Sequence, residues 1–351
     1  MRLRFEHGRR DELKTLNPAY FAMVMATGIV SIAAHLHAVP LVPTVLLWLN
    51  GVFFVALAAA TVARILRYPQ AFAADIANHG RGVGFFTAVA GTAVLGTQLV
   101  VQIDAAAIAA GLWVAAAVLL AGVTYGELAV LTAKPDKPSL AEGLNGGWLV
   151  IVVAPQSVAI LTVLIAGAGA FAGYQQPMLF MALVLWLSGG ALYLCIVTLI
   201  FFRYTFVHMA PEEFTSPYWI DMGAVAISTL AGASLAEHAA ASPVIGEIVP
   251  FVKGLTLFFW AIATWWVPML VALGIWRYLL RGVPFAYDPL VWGGVFPLGM
   301  YSVATYHLTK IFEAPFLLPL SQAFMIIALA AWSATFLGFL DTRLKRAKRA
   351  Q

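Results

Sequence analysis

Apolar residues run through this chain in ten long stretches, and the short segments between them carry most of its charge. The stretches are residues 18–36, 40–66, 82–101, 105–132, 144–166, 176–202, 217–236, 250–280, 289–308 and 314–340. A helix needs about 20 residues to cross the hydrocarbon of a bilayer, and each stretch is about that length or longer. The pattern predicts ten transmembrane helices, an even number that returns both chain ends to the same side.

The odd-numbered and even-numbered stretches differ in composition. Even stretches are bulky, as in VLLWLNGVFFVALAAA at 45–60, whereas odd stretches are small and carry hydroxyl groups, as in MATGIVSIAA at 25–34. Lipid accepts bulky apolar side chains, while small and hydroxyl residues suit close helix contacts or a wet surface. We therefore expect an inner set of odd helices enclosed by an outer set of even helices.

The odd stretches begin roughly 62 to 73 residues apart, which indicates a helical hairpin repeated five times. The first and ninth stretches match at a constant offset of 271. The matched pairs are Pro18 and Pro289, Phe21 and Trp292, Gly28 and Gly299, and Ser31 and Ser302. The predicted fold is thus an all-α integral membrane protein of five tandem hairpins, with the odd helices around a central pore.

Composition and charge agree with this fold and set its orientation. Hydrophobic residues make up 62% of the 351 residues and charged residues 10%, whereas a soluble domain carries about 25% charged residues. All the Lys and Arg residues except Lys253 and Lys310 fall on one predicted side. Basic residues favour the cytoplasmic side, so the net charge of +4 is a topology signal and no nucleic-acid partner is expected.

Three regions follow from these spans. We expect a basic cytoplasmic tail at 1–16, a ten-helix transport domain at 17–340 and a second basic cytoplasmic tail at 341–351. The first apolar stretch is interpreted as a permanent helix and not as a cleaved signal peptide. Cys195 is the only cysteine, which excludes a disulfide within the chain.

Two odd stretches contain an interior proline, Pro155 and Pro297. Such a proline bends a helix and frees a carbonyl group, which in a membrane must be satisfied by protein or water. Both prolines therefore predict inner helices that border a wet or tightly packed centre. Alternatively, each proline only fits its helix around a neighbour.

The segment GGVFPLGMYSVATYHL, at 293–308, has two unlike faces. At 100° per residue, one face carries Phe296, Met300, Val303 and His307, and the other carries Ser302, Thr305 and Thr309. Either the apolar stripe faces a lumen that Phe296 plugs, or the hydroxyl face lines the lumen and Phe296 packs between helices.

NPAYFAMVMATGIVSIA at 17–33 and VWGGVFPLGMYSVAT at 291–305 resemble the tellurite-resistance/dicarboxylate transporter family. That family includes malate permeases, a sulfite efflux pump and slow-type anion channels. The resemblance implies a quasi-fivefold pore, a homotrimer, and occlusion of the pore by the phenylalanine before the proline, here Phe296. It implies transport of small anions across a bacterial inner membrane, with malate-type C4-dicarboxylates, monovalent anions, sulfite and tellurite-related species as alternatives. A passive channel and a proton-coupled carrier both stay open.

Phe296 and Pro297 are accordingly the predicted gate. The positions expected to line or bend the path are Met25, Thr27, Gly28, Ser31, Gly91, Thr92, Pro155, Gln156, Ser228, Thr229, Gly299 and Met300. No Lys or Arg lies in the middle of an odd stretch, so selectivity would come from hydroxyl groups, backbone dipoles and helix ends. A tight dicarboxylate site would show paired cations, and their absence here favours a permissive path of low affinity.

Charged and titratable groups at the helix ends complete the set of candidates. His35, His238, His307 and Lys310 lie at the predicted outer mouth. They either titrate and control anion entry or are interfacial side chains that reach toward water. Glu127, late in the fourth helix, is interpreted as a structural partner of an arginine.

Other classes of protein find little support in the sequence. No histidine is followed by glutamate, so a HExxH zinc motif is absent, and GRGVG at 80–84 and GAGAFAG at 167–173 lack the strand–turn–helix context of a nucleotide site. A membrane-embedded enzyme is therefore disfavoured, and no metal or cofactor is expected. A receptor is disfavoured because the chain has no soluble domain through which to signal.

Overall fold

The computed structural model describes residues 12–350. Residues 1–11 of the predicted N-terminal basic tail, and residue 351, lie outside the described residues. Ten long helices, α1 to α10, dominate the described part. They are α1 (Ala22–Leu36), α2 (Val42–Arg67), α3 (Phe86–Ile103), α4 (Ala106–Ala133), α5 (Val150–Gly167), α6 (Gln175–Phe206), α7 (Ile220–Glu237), α8 (Val249–Ile275), α9 (Trp292–Ile311) and α10 (Leu318–Ala350). No strand occurs between residues 12 and 350, which confirms an all-α fold.

Nine helical segments in the described part are long and apolar enough to cross a membrane. They contain every long helix except α9, whose 20 residues include Gly293, Gly294, Pro297, His307 and Lys310. The chain is therefore a multi-pass membrane protein, and the tenth span stays a prediction. Even helices are the longer ones: α6 has 32 residues and α10 has 33, so α10 continues through the segment predicted as a tail.

A short 3₁₀ turn precedes each odd helix. The five turns are Pro18–Phe21, Gly82–Phe85, Gly146–Leu149, Ser216–Trp219 and Pro289–Val291. In three of them a side-chain oxygen caps the turn by accepting a backbone N–H two residues later. These are Asn17 to Ala19 at 3.0 Å, Asn145 to Gly147 at 2.8 Å and Asp288 to Leu290 at 2.7 Å. The same kind of turn at the start of all five odd helices supports the predicted hairpin repeat, because proline and capping residues favour this local structure.

The odd helices form a closed ring. Each packs against two other odd helices, in the order α1, α3, α5, α7, α9 and back to α1. Each even helix packs against the odd helix before it and the odd helix after it, with α10 reaching α1. In the most apolar window of the first four odd helices at least 78% of the residues are buried, against at most 33% in the even helices. The predicted inner and outer layers are confirmed.

Hydroxyl groups hold the two layers together at equivalent places. Ser31 donates to the carbonyl of Pro43 at the start of α2, at 2.8 Å, and Ser302 donates to the carbonyl of Ser321 at the start of α10, at 2.7 Å. The residues matched at an offset of 271 therefore make the same contact in the first and last hairpins. The ring is also tied at its closure, where the Trp332 indole of α10 donates to Thr27 of α1 at 2.9 Å.

Candidate functional site

A cavity of about 390 Å³ lies at the end of the ring where the inner helices begin. Every inner helix contributes to its wall through its 3₁₀ turn or the residues beside it, for example Asn17, Val83, Gly147, Pro217 and Leu290. We call this cavity the vestibule. It is centred on the ring because all five helices share in it, and in the predicted topology it opens to the cytoplasm.

The inner helices point their N-termini toward the vestibule. The first N–H groups of a helix have no partner within the helix, and the helix dipole makes this end positive. Glycines allow the turns to approach one another closely. A Cβ atom on Gly146 would lie 2.5 Å from the carbonyl oxygen of Pro217, and one on Gly84 would lie 2.8 Å from the backbone nitrogen of Ala19. Five positive helix ends are thus brought together around one cavity, an arrangement that attracts anions.

Two arginines also line the vestibule, Arg81 and Arg203. Arg81 makes two hydrogen bonds to Asp75, at 2.7 and 3.1 Å, and Arg64 binds the same carboxylate at 2.7 Å. Arg203 pairs with Glu213 at 3.6 Å. Neither arginine was predicted as part of the site, because Arg81 comes from the loop before α3 and Arg203 from the last turn of the outer helix α6.

The wall residues that reach farthest along the inner helices are Ala22, Thr87, Val150, Ile220 and Gly293. Three residues further along each helix, roughly one turn deeper, stand Met25, Ala90, Val153, Gly223 and Phe296. All five are buried, and Phe296, at 1% exposure, has the largest side chain among them. The vestibule therefore ends where the ring is filled by apolar side chains.

The hydroxyl face of α9 is turned to the outer helices. Ser302 bonds to Ser321 of α10, and the Trp260 indole of α8 donates to Thr305 at 3.0 Å. The stripe that contains Phe296 and Met300 lies on the opposite side of α9, away from α8 and α10. Of the two orientations left open by the sequence, this contact pattern corresponds to the one in which the apolar stripe faces the ring centre.

Several predicted path residues make contacts between the layers. Thr27 accepts from Trp332, Ser31 binds the Pro43 carbonyl and also accepts from Gln102 at 2.8 Å, and Gln156 donates to the carbonyl of Trp186 in α6 at 3.0 Å. These bonds connect inner helices to neighbouring segments. They give the three side chains a packing role that the sequence does not distinguish from a lining role.

The other predicted path residues are mostly small residues at helix contacts. A Cβ atom on Gly28 would meet Val94 and Asn50, one on Gly91 would meet Phe21 and Val24, and one on Gly299 would meet Ile29 and Val30. The hydroxyls of Thr92, Ser228 and Thr229 donate to carbonyls four residues earlier in their own helices. Met25 and Met300 are buried, and Pro155 and Pro297 lie inside α5 and α9.

At the other end of the ring, three of the four predicted outer-mouth residues interact with a carboxylate that was not predicted, Glu237. His307 binds it at 2.9 Å, and His238 and Lys310 interact with it electrostatically. His35 is exposed at the end of α1. His37, one residue beyond the first span, shares a hydrogen bond of 2.8 Å with Ser321, and partial burial lowers the pKa of its imidazole.

Two further observations concern charged groups within residues 12–350. Glu127 is 3% exposed and neither carboxylate oxygen has a hydrogen-bond partner there, so the predicted pairing with an arginine is wrong. In the same part of the chain, no cluster of three or more His, Cys, Asp or Glu side chains is arranged to hold a metal ion.

Comparison with known proteins places these features among transport proteins. The family model described as voltage-dependent anion channel matches residues 15–340. An uncharacterized membrane protein of Mycobacterium tuberculosis is 38% identical over 149 residues, covering 42% of this chain and 75% of that protein. An uncharacterized transporter of Methanocaldococcus jannaschii is 21% identical, with 86% of each chain covered. A sulfite efflux pump of Arthroderma otae is 23% identical, with 93% of this chain and 92% of the pump covered. These names indicate a channel or transporter rather than an enzyme.

Proposed function

This chain belongs to the SLAC1 family of voltage-dependent anion channels, as its resemblance to the tellurite-resistance/dicarboxylate transporters predicted, and we propose that anions cross the membrane through the centre of its inner ring. Anion transport or efflux is the function that the family and the named relatives support. The route we propose begins in the vestibule and continues along the axis past Phe296.

The observation that supports this proposal most directly is that the vestibule ends one helical turn before Phe296. The cavity reaches Gly293, and Phe296 is buried one turn deeper on the face of α9 that is turned away from the outer helices. Its aromatic ring is the proposed occlusion. Pro297 lies inside α9 at this level, where a proline is expected to bend the helix. Its ring packs where Gly223 of α7 has no side chain, since a Cβ there would lie 2.8 Å from the Pro297 Cγ.

The proposed path selects by charge sign at its entrance and by size at its centre. Five helix N-termini, two arginines and two glutamates (Glu142 and Glu213) line the vestibule, whereas the level of Phe296 is buried and apolar. Such a path suits small anions: malate-type dicarboxylates and monovalent anions are the proposed substrates. Sulfite is a second candidate because one relative is named a sulfite efflux pump, and the family resemblance adds tellurite-related anions.

We further propose that the protein acts as a homotrimer in the bacterial inner membrane, with both termini cytoplasmic. Neither a cofactor nor a nucleic-acid partner enters this scheme. Whether the path works as a passive channel or as a coupled carrier is decided by the same experiment that tests the gate.

Anion currents across reconstituted bilayers test the proposal, with the wild type beside Phe296→Ala under chloride and then malate gradients. We expect the variant to conduct several times more than the wild type, with a reversal potential that follows the anion. Phe259→Ala is a matched control, because Phe259 of the outer helix α8 is 2% exposed but packs against Trp186 of the outer helix α6.

The other outcomes are equally informative. Silence of both proteins while labelled malate enters liposomes would indicate an electroneutral or coupled carrier and would remove Phe296 as the gate. Equal increases in Phe296→Ala and Phe259→Ala would mean that loosened packing, and not an opened gate, causes the leak. Absence of both current and flux for every anion would contradict the transport function.

A further inference from the structure

We infer that the vestibule contains an oxyanion-binding site built on Arg203. In the absence of a ligand the guanidinium pairs with Glu213, and a carboxylate or sulfite anion displaces Glu213 when it binds. This inference rests on the proposed function and names the first binding station of the path. The site would take anions that present two acceptor oxygens, in preference to a spherical halide.

The guanidinium of Arg203 has too few partners for its burial. Arg203 is 4% exposed, its only ion pair among residues 12–350 is the one to Glu213 at 3.6 Å, and its Nε atom has no hydrogen-bond partner there. A guanidinium carries five N–H donors, and leaving buried donors unpaired costs free energy. Arg203 therefore has unused capacity to bind an acceptor.

Arg64 provides the contrast within the same protein. It is 3% exposed, close to the burial of Arg203. Its Nη2 donates to Asp75 at 2.7 Å and to the carbonyl of Ala71 at 3.4 Å, and its Nε donates to the carbonyl of Lys14 at 3.1 Å. A buried arginine that serves structure is thus well bonded in this fold, and Arg203 departs from that pattern where it lines a cavity.

The surroundings of Arg203 favour a negative ligand. The guanidinium lies 5.8 Å from the ring centre of Tyr218, within the 3₁₀ turn that opens α7, and the Tyr218 hydroxyl is buried without a hydrogen-bond partner among residues 12–350. Thr215 and Pro217, at the same helix start, line the vestibule with Arg203. A cation and an unpaired hydroxyl therefore meet at one side of the cavity, at the start of a helix whose positive end also holds the buried Asp221 in its first turn.

The shape of the guanidinium points to the class of ligand. Its Nε–H and Nη–H groups form a planar pair of donors that matches two oxygens of a carboxylate or sulfite. A halide ion is a single acceptor and cannot use both donors in this way. Arg81, the other cation of the vestibule, already has its pair of donors engaged by Asp75. Arg203 is consequently the arginine with a pair of donors available for an incoming anion.

Glu213 sets the affinity of this site by competition. Its side chain is 47% exposed, lies 3.6 Å from Arg203, and accepts the backbone N–H of Ala210 at 3.1 Å. A glutamine at 213 would keep an acceptor for Ala210 and remove the negative charge that opposes the ligand. Changes at 203 and 213 should therefore shift anion affinity in opposite directions, which a general loss of folding cannot do.

The test is anion-dependent thermal stabilisation of the detergent-solubilised full chain, with sulfite, malate and chloride compared at constant ionic strength. We expect the wild type to be stabilised by sulfite and malate more than by chloride. Arg203→Lys and Arg203→Gln should raise the half-saturating oxyanion concentration about tenfold, as expected for the loss of a charged hydrogen bond. Glu213→Gln should lower it. Arg67→Gln is the matched control, since Arg67 is exposed at the end of α2 and outside the vestibule.

Three results would overturn the site: no oxyanion stabilisation of the wild type, wild-type affinity in Arg203→Lys, or a Glu213→Gln affinity that is unchanged or weaker. If the Arg203 variants fail to fold, the Glu213→Gln result decides. Liposome flux of the same proteins separates this inference from the proposed function. Flux with unaltered affinities rejects the site alone, whereas the expected affinity changes without any flux support the site and reject transport.

Discussion

At the scale of single residues, Glu127 is a carboxyl group buried beside the start of an inner helix. Both of its oxygens lack hydrogen-bond partners among residues 12–350, and a Cβ atom on Gly82 would touch its carboxylate at 2.5 Å. A buried acceptor without a partner costs about 1–3 kcal/mol relative to a satisfied one. Glu127 is therefore a position on α4 where we expect an apolar side chain to be more stable than the carboxyl group.

Replacing this carboxyl group should stabilise the protein. We expect Glu127→Met, an unbranched side chain of similar length, to raise Tm in detergent by a few degrees because it removes the unpaired polar group and keeps the contact with Gly82. Differential scanning fluorimetry measures the shift, and Glu247→Met, at an exposed glutamate, should not raise Tm. A lower Tm for Glu127→Met would show that the carboxyl has a stabilising partner, such as a buried water.

The residues of α9 and the vestibule show where sequence reasoning stops at this scale. Phe296 and Pro297 are the predicted gate because the family resemblance assigns the occlusion to the phenylalanine before this proline. Thr27, Ser31 and Gln156 are polar in the same way whether they face a lumen or a neighbouring helix, so their partners could not be predicted. Arg203 stands in the last turn of an outer helix, where the sequence predicts no lining residue, and the packing of α6 against α7 brings it to the vestibule.

At the scale of helices, the turns that begin the inner helices pack closely against one another around the vestibule. Gly146 in the turn before α5 meets the backbone of Pro217 and Tyr218 before α7. Because the opposing atoms belong to the backbone, they cannot rotate away as a flexible side chain can. These turns hold the helix N-termini in register around the cavity.

A methyl group at this contact should disturb the vestibule. We expect Gly146→Ala to lower stability by about 1–3 kcal/mol through overpacking and to weaken sulfite or malate stabilisation of the protein. Gly111→Ala in α4 is the control, because a Cβ atom there meets no atom of the described residues within 4 Å and alanine is a better helix former than glycine. Thermal melts with and without anion measure both effects; equal melts for the two variants would contradict the close contact.

The layers could be predicted from composition, whereas the helix ends could not. Small residues with hydroxyls mark α1, α3, α5, α7 and α9, since only such residues allow five helices to pack in a ring. Hydropathy indicates which residues lie in the hydrocarbon of the bilayer, but it does not indicate where a helix ends. For that reason α10 was expected to end near 340 but continues to Ala350, through a basic segment that is still helical.

At the scale of the whole molecule, hairpin repetition determines the electrostatics. Each hairpin of two crossing helices returns the chain to its starting side, so five hairpins make all inner helices run in the same direction. Their positive ends then meet at the vestibule and their dipoles add. The crossing of α9, which is less apolar than the other inner helices, is the part of this arrangement that stays a prediction.

Cysteine accessibility decides whether α9 spans the membrane, and with it the side on which the chain ends. In a Cys195→Ser background, we expect a membrane-impermeant maleimide to label Glu313→Cys in intact spheroplasts, because this exposed residue follows α9 at the predicted outer side. Arg281→Cys, exposed before α9, should be labelled only after permeabilisation. Asp104→Cys and Asp136→Cys, at the two ends of α4, serve as outer and inner references. Labelling of Glu313→Cys and Arg281→Cys from one side would mean that α9 does not cross the membrane and that the termini lie on opposite sides. The fifth positive helix end would then not face the vestibule as proposed.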